Sequence, residues 1–226
     1  MLMARKPAAR LAAATVVIGV GLALVLGLGL ASGQLALPSG LRAPAVPQPV
    51  AVAEIALRSG DVPGITRCPI SGEIGKYLAG LQTAGSPGYE VLQSEWTRIR
   101  GLGARQGYAS SFAKSPNECT ARLGERQSPS AISFSFQFQK ATAAATAFEN
   151  GFLDLRPARD LNVPGLQQGT GTGLGTSAWT FYQAAPEPAI YAAYWARGDY
   201  LVFLLAENVD PAVARRAALN IDSRVR

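Results

Sequence analysis

The chain has 226 residues and a formal net charge of +6, and it contains no histidine. Without histidine it cannot form a Ser-His-Asp or Cys-His active site, and its two cysteines cannot complete a structural zinc site. The arginines are scattered rather than gathered beside stacking aromatics, which argues against a nucleic-acid partner. We therefore predict no catalytic residue, no metal ligand and no cofactor.

The N-terminal segment predicts a membrane anchor. Residues 1–10 carry three basic side chains, and an uncharged apolar run of 23 residues follows over residues 11–33. A helix needs ~20 apolar residues to cross a bilayer, whereas a cleaved signal peptide has an apolar region of only ~7–15 residues. The pattern predicts an uncleaved transmembrane signal anchor with a cytoplasmic basic stub, because positive charge stays on the cytoplasmic side. Cleavage near Gly33, with secretion of the remainder, is the alternative.

Proline and alanine are frequent in residues 34–55, which we interpret as a spacer leading to an extracytoplasmic domain over residues 56–226. The only cysteines of the chain, Cys68 and Cys119, both lie in this domain. An even pair in an oxidising compartment predicts a disulfide bond, and two unpaired buried thiols are the alternative.

The first half of the domain contains weak helix and strand patterns, followed by one clear strand pattern. Residues 73–81 and 94–102 have helical character, and residues 108–113 are a candidate strand that would pair with residues 131–139. Over residues 132–139, isoleucine and phenylalanine alternate with serine and glutamine. This period of two predicts a strand with one buried face.

The alanine-rich residues 140–151 follow this strand and end in Asn-Gly, which predicts a helix with a glycine C-cap. Three β-rich runs then lie close together and predict an antiparallel meander over residues 177–183, 189–196 and 200–206. A last helix is predicted to begin at Asp210-Pro211, because Asp is a favoured N-cap and Pro a favoured first helical residue.

These elements predict an α+β fold. An antiparallel sheet of about five strands would carry helices packed on one face, and one N-terminal transmembrane helix would precede it.

The glycine-rich stretch 167–176, "QQGTGTGLGT", superficially resembles a phosphate-binding loop. A Walker loop needs a lysine after its last glycine, and no lysine follows Lys140 in this chain. The glycine offsets do not match a dinucleotide fingerprint either, and the stretch leads into a predicted strand rather than a helix. It is either an ordinary mobile connection or a lid over a ligand site, with Gly169, Gly171 and Gly173 as its flexible positions.

Aromatic residues on the two neighbouring strands after this loop are candidates for ligand contacts, although most aromatics in a domain of this size belong to the core. The candidate ligand-binding residues are Trp179, Tyr182, Tyr191 and Trp195. Paired carboxylates could in principle perform glycosidase chemistry, and the pairs that are close in sequence are Glu90 with Glu95 and Asp154 with Asp160.

The second half of the domain has a pattern of turns and apolar runs that resembles a known class of bacterial domain. The pattern covers "VPGLQQGTGTGLGTSAWTF" (163–181), "YAAYWARGDYLVFLLAE" (191–207) and "DPAVARRAALNIDSRV" (210–225), and "SGDVPGITRC" (59–68) is similar to the opening of such modules. It resembles extracytoplasmic α+β domains, including sensor-like domains of membrane Ser/Thr kinases and related cell-envelope lipoproteins. The resemblance implies binding of a ligand or partner and assigns no site residues.

Three functions are consistent with these features. The first is a membrane-anchored, non-catalytic extracytoplasmic module that binds a small ligand or a cell-envelope protein. The second is an envelope hydrolase that uses carboxylates, which requires two acids ~5–10 Å apart across a cleft. The third is a structural subunit of a larger membrane assembly.

Overall fold

The computed structural model describes residues 50–153, 155–156, 163–184 and 188–225. Within these ranges, one antiparallel sheet of eight strands carries helices on both of its faces. The predicted combination of helices with an antiparallel sheet is confirmed, whereas the predicted number of about five strands and the placing of all helices on one face are wrong. The predicted transmembrane segment 11–33 lies outside the described residues, and no described helix is long and apolar enough to cross a membrane.

Five α-helices and eight strands make up the described fold. The helices are α1 (Val52–Ile55), α2 (Ile74–Thr83), α3 (Tyr89–Gly101), α4 (Ala141–Asn150) and α5 (Pro211–Ser223). The strands are β1 (Thr66–Arg67), β2 (Gly72–Glu73), β3 (Ala104–Ala113), β4 (Ser130–Phe138), β5 (Leu166–Gln168), β6 (Ala178–Gln183), β7 (Ile190–Arg197) and β8 (Tyr200–Glu207).

The strands lie in the order β1-β3-β4-β8-β7-β6-β5, and β2 also pairs with β3. The predicted pairing of residues 108–113 with 131–139 is confirmed, with Phe112 opposite Ala131. The predicted meander is also confirmed, because β6, β7 and β8 pair in sequence order. The strands that the sequence did not predict are β1, β2 and β5, which have only two or three residues each. Such short strands have no detectable period of two.

Strand β8 lies inside the sheet, and both of its faces are buried. Leu201, Phe203 and Leu205 face the apolar cluster beneath α2, α3 and α4. Val202 and Leu204, on the opposite side, pack in a second cluster with α1 and α5. Because successive side chains of a strand point to opposite faces, a strand covered on both sides is continuously apolar, as β8 is from Leu201 to Ala206.

Strand β4 departs from its predicted single buried face. Its phenylalanines pack under α2 and α4, as the alternation predicts, but Ser133 and Ser135 on the other face are also fully buried. The backbone of Leu57 supplies hydrogen-bond partners for two buried serines. Its N–H donates to Ser133 Oγ at 2.9 Å, and its carbonyl accepts from Ser110 Oγ at 2.7 Å. A hydrogen bond from the backbone of a segment distant in sequence therefore satisfies Ser133, whereas the buried Ser135 Oγ has no hydrogen-bond partner among the described residues.

Residues 50–55, placed in the predicted spacer, belong to the folded domain. Val52 and Ile55 of α1 are buried against the same face as α5. The Tyr200 hydroxyl also donates to the Val50 carbonyl. The folded domain therefore begins before the predicted boundary at residue 56, and the remainder of the predicted spacer lies outside the described residues.

Helix α5 has the N-terminal cap that the sequence predicts. Asp210 Oδ1 accepts hydrogen bonds from the backbone N–H groups of Ala212 at 2.8 Å and Val213 at 3.2 Å. Its other end is held by an ion pair of 2.6 Å between Arg224 and Asp61, which joins the helix to the N-terminal segment of the domain. Together these contacts hold α5 over the sheet face opposite to α2, α3 and α4.

The predicted disulfide bond joins Cys68 and Cys119, whose Cα atoms are 5.6 Å apart. Both cysteines are buried beside Ala113 at the end of β3. The bond connects the segment after β1 to the connection between β3 and β4. The alternative of two unpaired thiols is therefore not supported.

Burial of Tyr77 predicts a measurable dependence of stability on alkaline pH. Burial raises the pKa of Tyr77 to about 12, although the positive charge of Arg126 opposes the shift. The folded state therefore binds the phenolic proton more tightly than the unfolded state does. This contribution to stability is complete below the ordinary pKa of about 10 and is lost as the pH rises through the folded pKa.

We therefore expect ionisation of Tyr77 in the unfolded state to lower the free energy of unfolding by about 1 kcal/mol at pH 11 relative to pH 7. Urea unfolding at pH 7, 9 and 11 measures this loss, and Tyr77→Phe is the matched variant, since phenylalanine keeps the ring but has no proton to lose. Equal slopes of stability against pH for the variant and the wild type would contradict this assignment.

Candidate functional site

A cavity of about 700 Å³ opens on the sheet face that carries α2, α3 and α4. Its floor is formed by strands β5 to β8, and its walls by the start of α3 and by two connecting segments. The described lining residues are mostly apolar, among them Leu92, Leu123, Leu153, Leu166, Trp179, Phe181, Ile190, Ala192, Phe203 and Leu205. The volume lies within the range of about 300–1,000 Å³ that is usual for small-molecule sites.

Strand alternation and incomplete helical cover together produce this cavity. Trp179 and Phe181 of β6, Ala192 of β7, and Phe203 and Leu205 of β8 all point to the same face. Helices α2 and α3 pack on β3, while α4 packs on β4, β7 and β8, so the helices concentrate away from β5. The apolar face of the sheet therefore continues beyond its helical cover, and the small side chain of Ala192 leaves space in the floor.

The rim of the cavity exposes apolar side chains. The described residues expose four large apolar side chains, and three of them line this cavity: Val91 at 53%, Leu155 at 41% and Val163 at 37%. The fourth, Leu219 at 37%, lies on α5. Clustering of exposed apolar residues around a cavity is typical of a binding site, whereas exposed apolar residues scattered singly are normal.

One wall of the cavity is held rigidly against α3. Arg98 forms an ion pair of 2.6 Å with Glu95 and donates to the Gly151 carbonyl at 2.6 Å. Glu95 also accepts from the Leu153 N–H at 3.1 Å. Leu153 adopts a φ of 51°, a left-handed conformation that is costly for a branched side chain. The Glu95–Arg98 pair therefore holds the strained turn whose leucine faces the cavity.

The charged residues that line the cavity in the described part of the chain are both arginines, Arg122 and Arg156. Both are exposed, so they lie at the mouth rather than at the floor. Arg122 forms a 3.0 Å ion pair with Glu125, and both side chains are more than half exposed, which makes the pair weak. The charged side chains that line the described part of the mouth are therefore cationic, and Glu125 partly neutralises one of them.

A buried ion pair lies near one end of the cavity. Arg126 and Glu207 are almost fully buried, with Arg126 Nε 3.6 Å from Glu207 Oε2, and the Arg126 N–H donates to Glu207 Oε1 at 3.0 Å. Burial raises the pKa of the Glu207 carboxyl above its ordinary value, and the N–H and the charge of Arg126 partly oppose this rise. The pair holds the segment that contains Leu123, a cavity residue, against the end of β8.

The structure separates the four aromatic residues that the sequence nominated. Trp179 lines the cavity. Tyr191 and Trp195 are buried on the opposite face with α5, and Tyr182 is half-buried on that face. Alternation along β6 and β7 causes this separation, so the four side chains do not form a single site. A ligand contact at Trp179 stays a prediction.

The glycine-rich loop packs against α5, not over the cavity. Gly169–Thr172 forms a short 3-10 helix, and Leu174 is buried in the cluster shared with α5. A Cβ atom placed on Gly173 would lie 3.4 Å from Leu219 of α5. Arg197 donates to the Leu174 carbonyl at 3.3 Å and pairs with Asp222 of α5 at 2.9 Å. The predicted lid at Gly169, Gly171 and Gly173 therefore lies on the wrong face of the sheet for this cavity.

The carboxylate pairs nominated for hydrolysis do not meet in the described cavity. Glu95 is committed to Arg98 and to the Leu153 backbone, while Glu90 is exposed on α3. Asp154 and Asp160 lie outside the described residues. No acidic side chain lines the cavity in the described ranges, and these ranges contain no cluster of three or more metal-ligating side chains.

Comparison with known proteins provides no relative. No family model, no curated protein and no solved structure matches this chain. The resemblance to extracytoplasmic sensor-like and lipoprotein-like domains therefore stays a prediction, and the function has to be argued from the geometry of the cavity.

Sequence reasoning missed the rim residues Arg122, Leu155, Arg156 and Val163. A signal for some of them exists in the connection after α4, where apolar residues recur in a segment with proline, glycine and arginine. Such residues fit neither a helical stripe nor a strand alternation, so they have no obvious place in the core. Apolar residues of this kind in a long connection indicate a contact outside the regular elements.

Proposed function

We propose that this protein is a membrane-anchored, non-catalytic extracytoplasmic module that binds a small apolar ligand in the cavity above β5 to β8. The observation that carries this proposal is the cavity of about 700 Å³ with its predominantly apolar lining. Burial of about 300 Å² of a ligand's apolar surface there would supply about 8 kcal/mol, from which the free-energy cost of immobilising the ligand is subtracted.

The proposed location rests on two independent features. The apolar segment 11–33 preceded by basic residues is typical of a signal anchor with its C-terminal part outside the cytoplasm. The disulfide between Cys68 and Cys119 is typical of proteins that fold in an oxidising compartment. The resemblance to extracytoplasmic sensor-like domains supports the same location and a binding role.

A photoreactive apolar probe tests ligand binding directly. We would label the full chain with a neutral alkyl diazirine alcohol, with phosphatidylcholine nanodiscs present, and map the adducts by peptide mass spectrometry. We expect adducts on peptides that contain Leu123, Leu153 or Leu166, because these side chains line the cavity. Adducts confined to residues of the opposite face, or spread evenly over the surface, would contradict the proposal.

A matched pair of variants separates cavity binding from general stickiness. Leu155→Asp places a charge on the rim, while Leu219→Asp changes a leucine of similar exposure on the opposite face. We expect Leu155→Asp to raise the probe concentration for half-maximal labelling about tenfold, since the ligand would lose the apolar contact of this rim side chain and would partly desolvate a carboxylate instead. Leu219→Asp should leave this concentration unchanged, and equal effects of the two variants would count against the cavity.

A further inference from the structure

The cavity has an apolar floor and a cationic mouth, and we propose that its ligand is a single-chain amphiphile with an anionic headgroup. This inference rests on the proposed function and names the ligand class. The alkyl chain lies along the sheet, and the carboxylate or phosphate headgroup lies between Arg122 and Arg156.

The gradient of exposure across the lining determines the orientation of the ligand. Trp179, Ala192 and Phe203 form a floor that is almost completely buried, whereas Arg122 and Arg156 are exposed. An alkyl chain gains free energy only where it leaves water, and a charged headgroup loses free energy if it is buried without a partner. Chain inward and head outward is therefore the arrangement that satisfies both parts.

The charges around the cavity select an anion over a cation or a neutral headgroup. In the described lining both charged side chains are arginines, whose planar guanidinium groups bind carboxylate and phosphate oxygens in pairs. The nearby carboxylates of the described residues are already paired: Glu95 with Arg98 and the Leu153 N–H, Glu207 with Arg126, and Glu125 with Arg122. A cationic headgroup would meet two guanidinium groups in the described lining, where no carboxylate is free to receive it.

Arg122 can change its partner at little cost. Its ion pair with Glu125 joins two side chains that are both more than half exposed, and such solvent-exposed pairs contribute little to stability. The buried alkyl chain would hold the anionic headgroup beside Arg122, so the guanidinium can exchange Glu125 for charge-assisted hydrogen bonds to the ligand.

The test compares photoreactive alkyl probes of equal chain length that end in a carboxylate, a phosphate or an alcohol. The full chain is labelled with neutral phosphatidylcholine nanodiscs present, and adducts on the cavity peptides are quantified against probe concentration. The decisive variant is the double change Arg122→Gln and Arg156→Gln. Its matched control is Arg215→Gln with Arg216→Gln, which removes the same charge from exposed positions of α5 on the opposite face.

We expect the Arg122/Arg156 double variant to raise the half-maximal concentration of the carboxylate or the phosphate probe about tenfold, and to leave the alcohol probe unchanged. The Arg215/Arg216 control variant should leave the half-maximal concentrations of all three probes unchanged. The effect of the Arg122/Arg156 variant should be smaller at high salt, because these charges are exposed. Partitioning of a probe into the bilayer does not affect this comparison, because the half-maximal concentration of each probe is compared between variants and not with that of another probe. The anionic probe whose half-maximal concentration rises more in the Arg122/Arg156 variant identifies the headgroup as carboxylate or phosphate.

The outcomes separate this inference from the proposed function. If the alcohol labels the cavity peptides and the Arg122/Arg156 variant affects all probes equally or none, the anionic ligand is ruled out and the apolar site stands. If no probe labels the cavity peptides, both proposals fail. A series of chain lengths provides an independent check: each added methylene should lower the half-maximal free aqueous probe concentration, measured outside the nanodiscs, about fourfold until the chain fills the cavity.

Discussion

Replacing Cys68 and Cys119 together by alanine should lower the free energy of unfolding by about 4 kcal/mol. The bond closes a loop with a sequence separation of 51 residues, and the chain-entropy model for such a loop predicts a loss of this size. Most domains are stable by only about 5–15 kcal/mol, so the variant should lie close to the limit of folding at physiological temperature.

Urea unfolding of the full chain, followed by tryptophan fluorescence, measures this effect. Wild-type protein in excess reductant is the internal control and should lose nearly the same free energy, because the same cross-link is removed without a change of side-chain packing. A loss below about 1 kcal/mol would show that the unfolded state is already constrained or that the bond does not form.

Phe134→Ala should have a comparable effect, about 4 kcal/mol, through loss of packing. Phe134 is fully buried in the cluster under α2 and α4, and its ring lies 5.4 Å from Phe152, 5.8 Å from Tyr77 and 6.4 Å from Phe203. Truncation leaves a cavity among rings that cannot collapse into it, so the transfer and cavity costs add.

Phe181→Ala is the matched control for Phe134→Ala, and urea unfolding compares the two. Phe181 is only half-buried and lines the candidate site, so its truncation should cost about 1 kcal/mol of stability while weakening labelling by an alkyl probe. A loss at Phe134 no larger than that at Phe181 would contradict the central position of the aromatic cluster. If Phe181→Ala lowered stability but left labelling by the alkyl probe unchanged, this result would argue against ligand binding in the cavity.

The contrast between these two phenylalanines reflects how the fold separates stability from binding. The helices cover β3, β4, β7 and β8, and the best-packed aromatics lie under that cover. The cavity lies toward β5 and β6, where the same sheet face continues without a helix over it. Changes at the rim should therefore alter ligand binding while leaving the centre of the core intact.

Much of the secondary structure was predictable because its signals are local. The alternation over residues 132–139, the alanine-rich helix before Gly151, and the Asp210-Pro211 cap are each encoded within a few neighbouring residues. The disulfide was predictable because the chain has only two cysteines. The strands that escaped prediction, β1, β2 and β5, form only because a longer neighbouring strand offers its edge.

The candidate site was predictable only in part. Aromatic composition pointed to Trp179, but the same argument also selected Tyr191 and Trp195, which alternation places on the other face. The glycine-rich loop suggested a lid because glycines permit motion, yet Leu174 within it is buried beside α5. Which face a loop covers depends on contacts between residues distant in sequence, and a local pattern does not contain them.

The sequence by itself determined the class of secondary structure, the disulfide, the exclusion of histidine chemistry and the expectation of an anchored extracytoplasmic domain. These follow from composition and local periodicity, which act over a few residues. The tertiary structure alone decided that helices cover both faces, that the buried Ser133 hydroxyl accepts a hydrogen bond from Leu57, and that a cavity with Arg122 and Arg156 at its described rim opens where helical cover ends. Burial and cavities are properties of the space between elements, and that space exists only after distant segments have packed together.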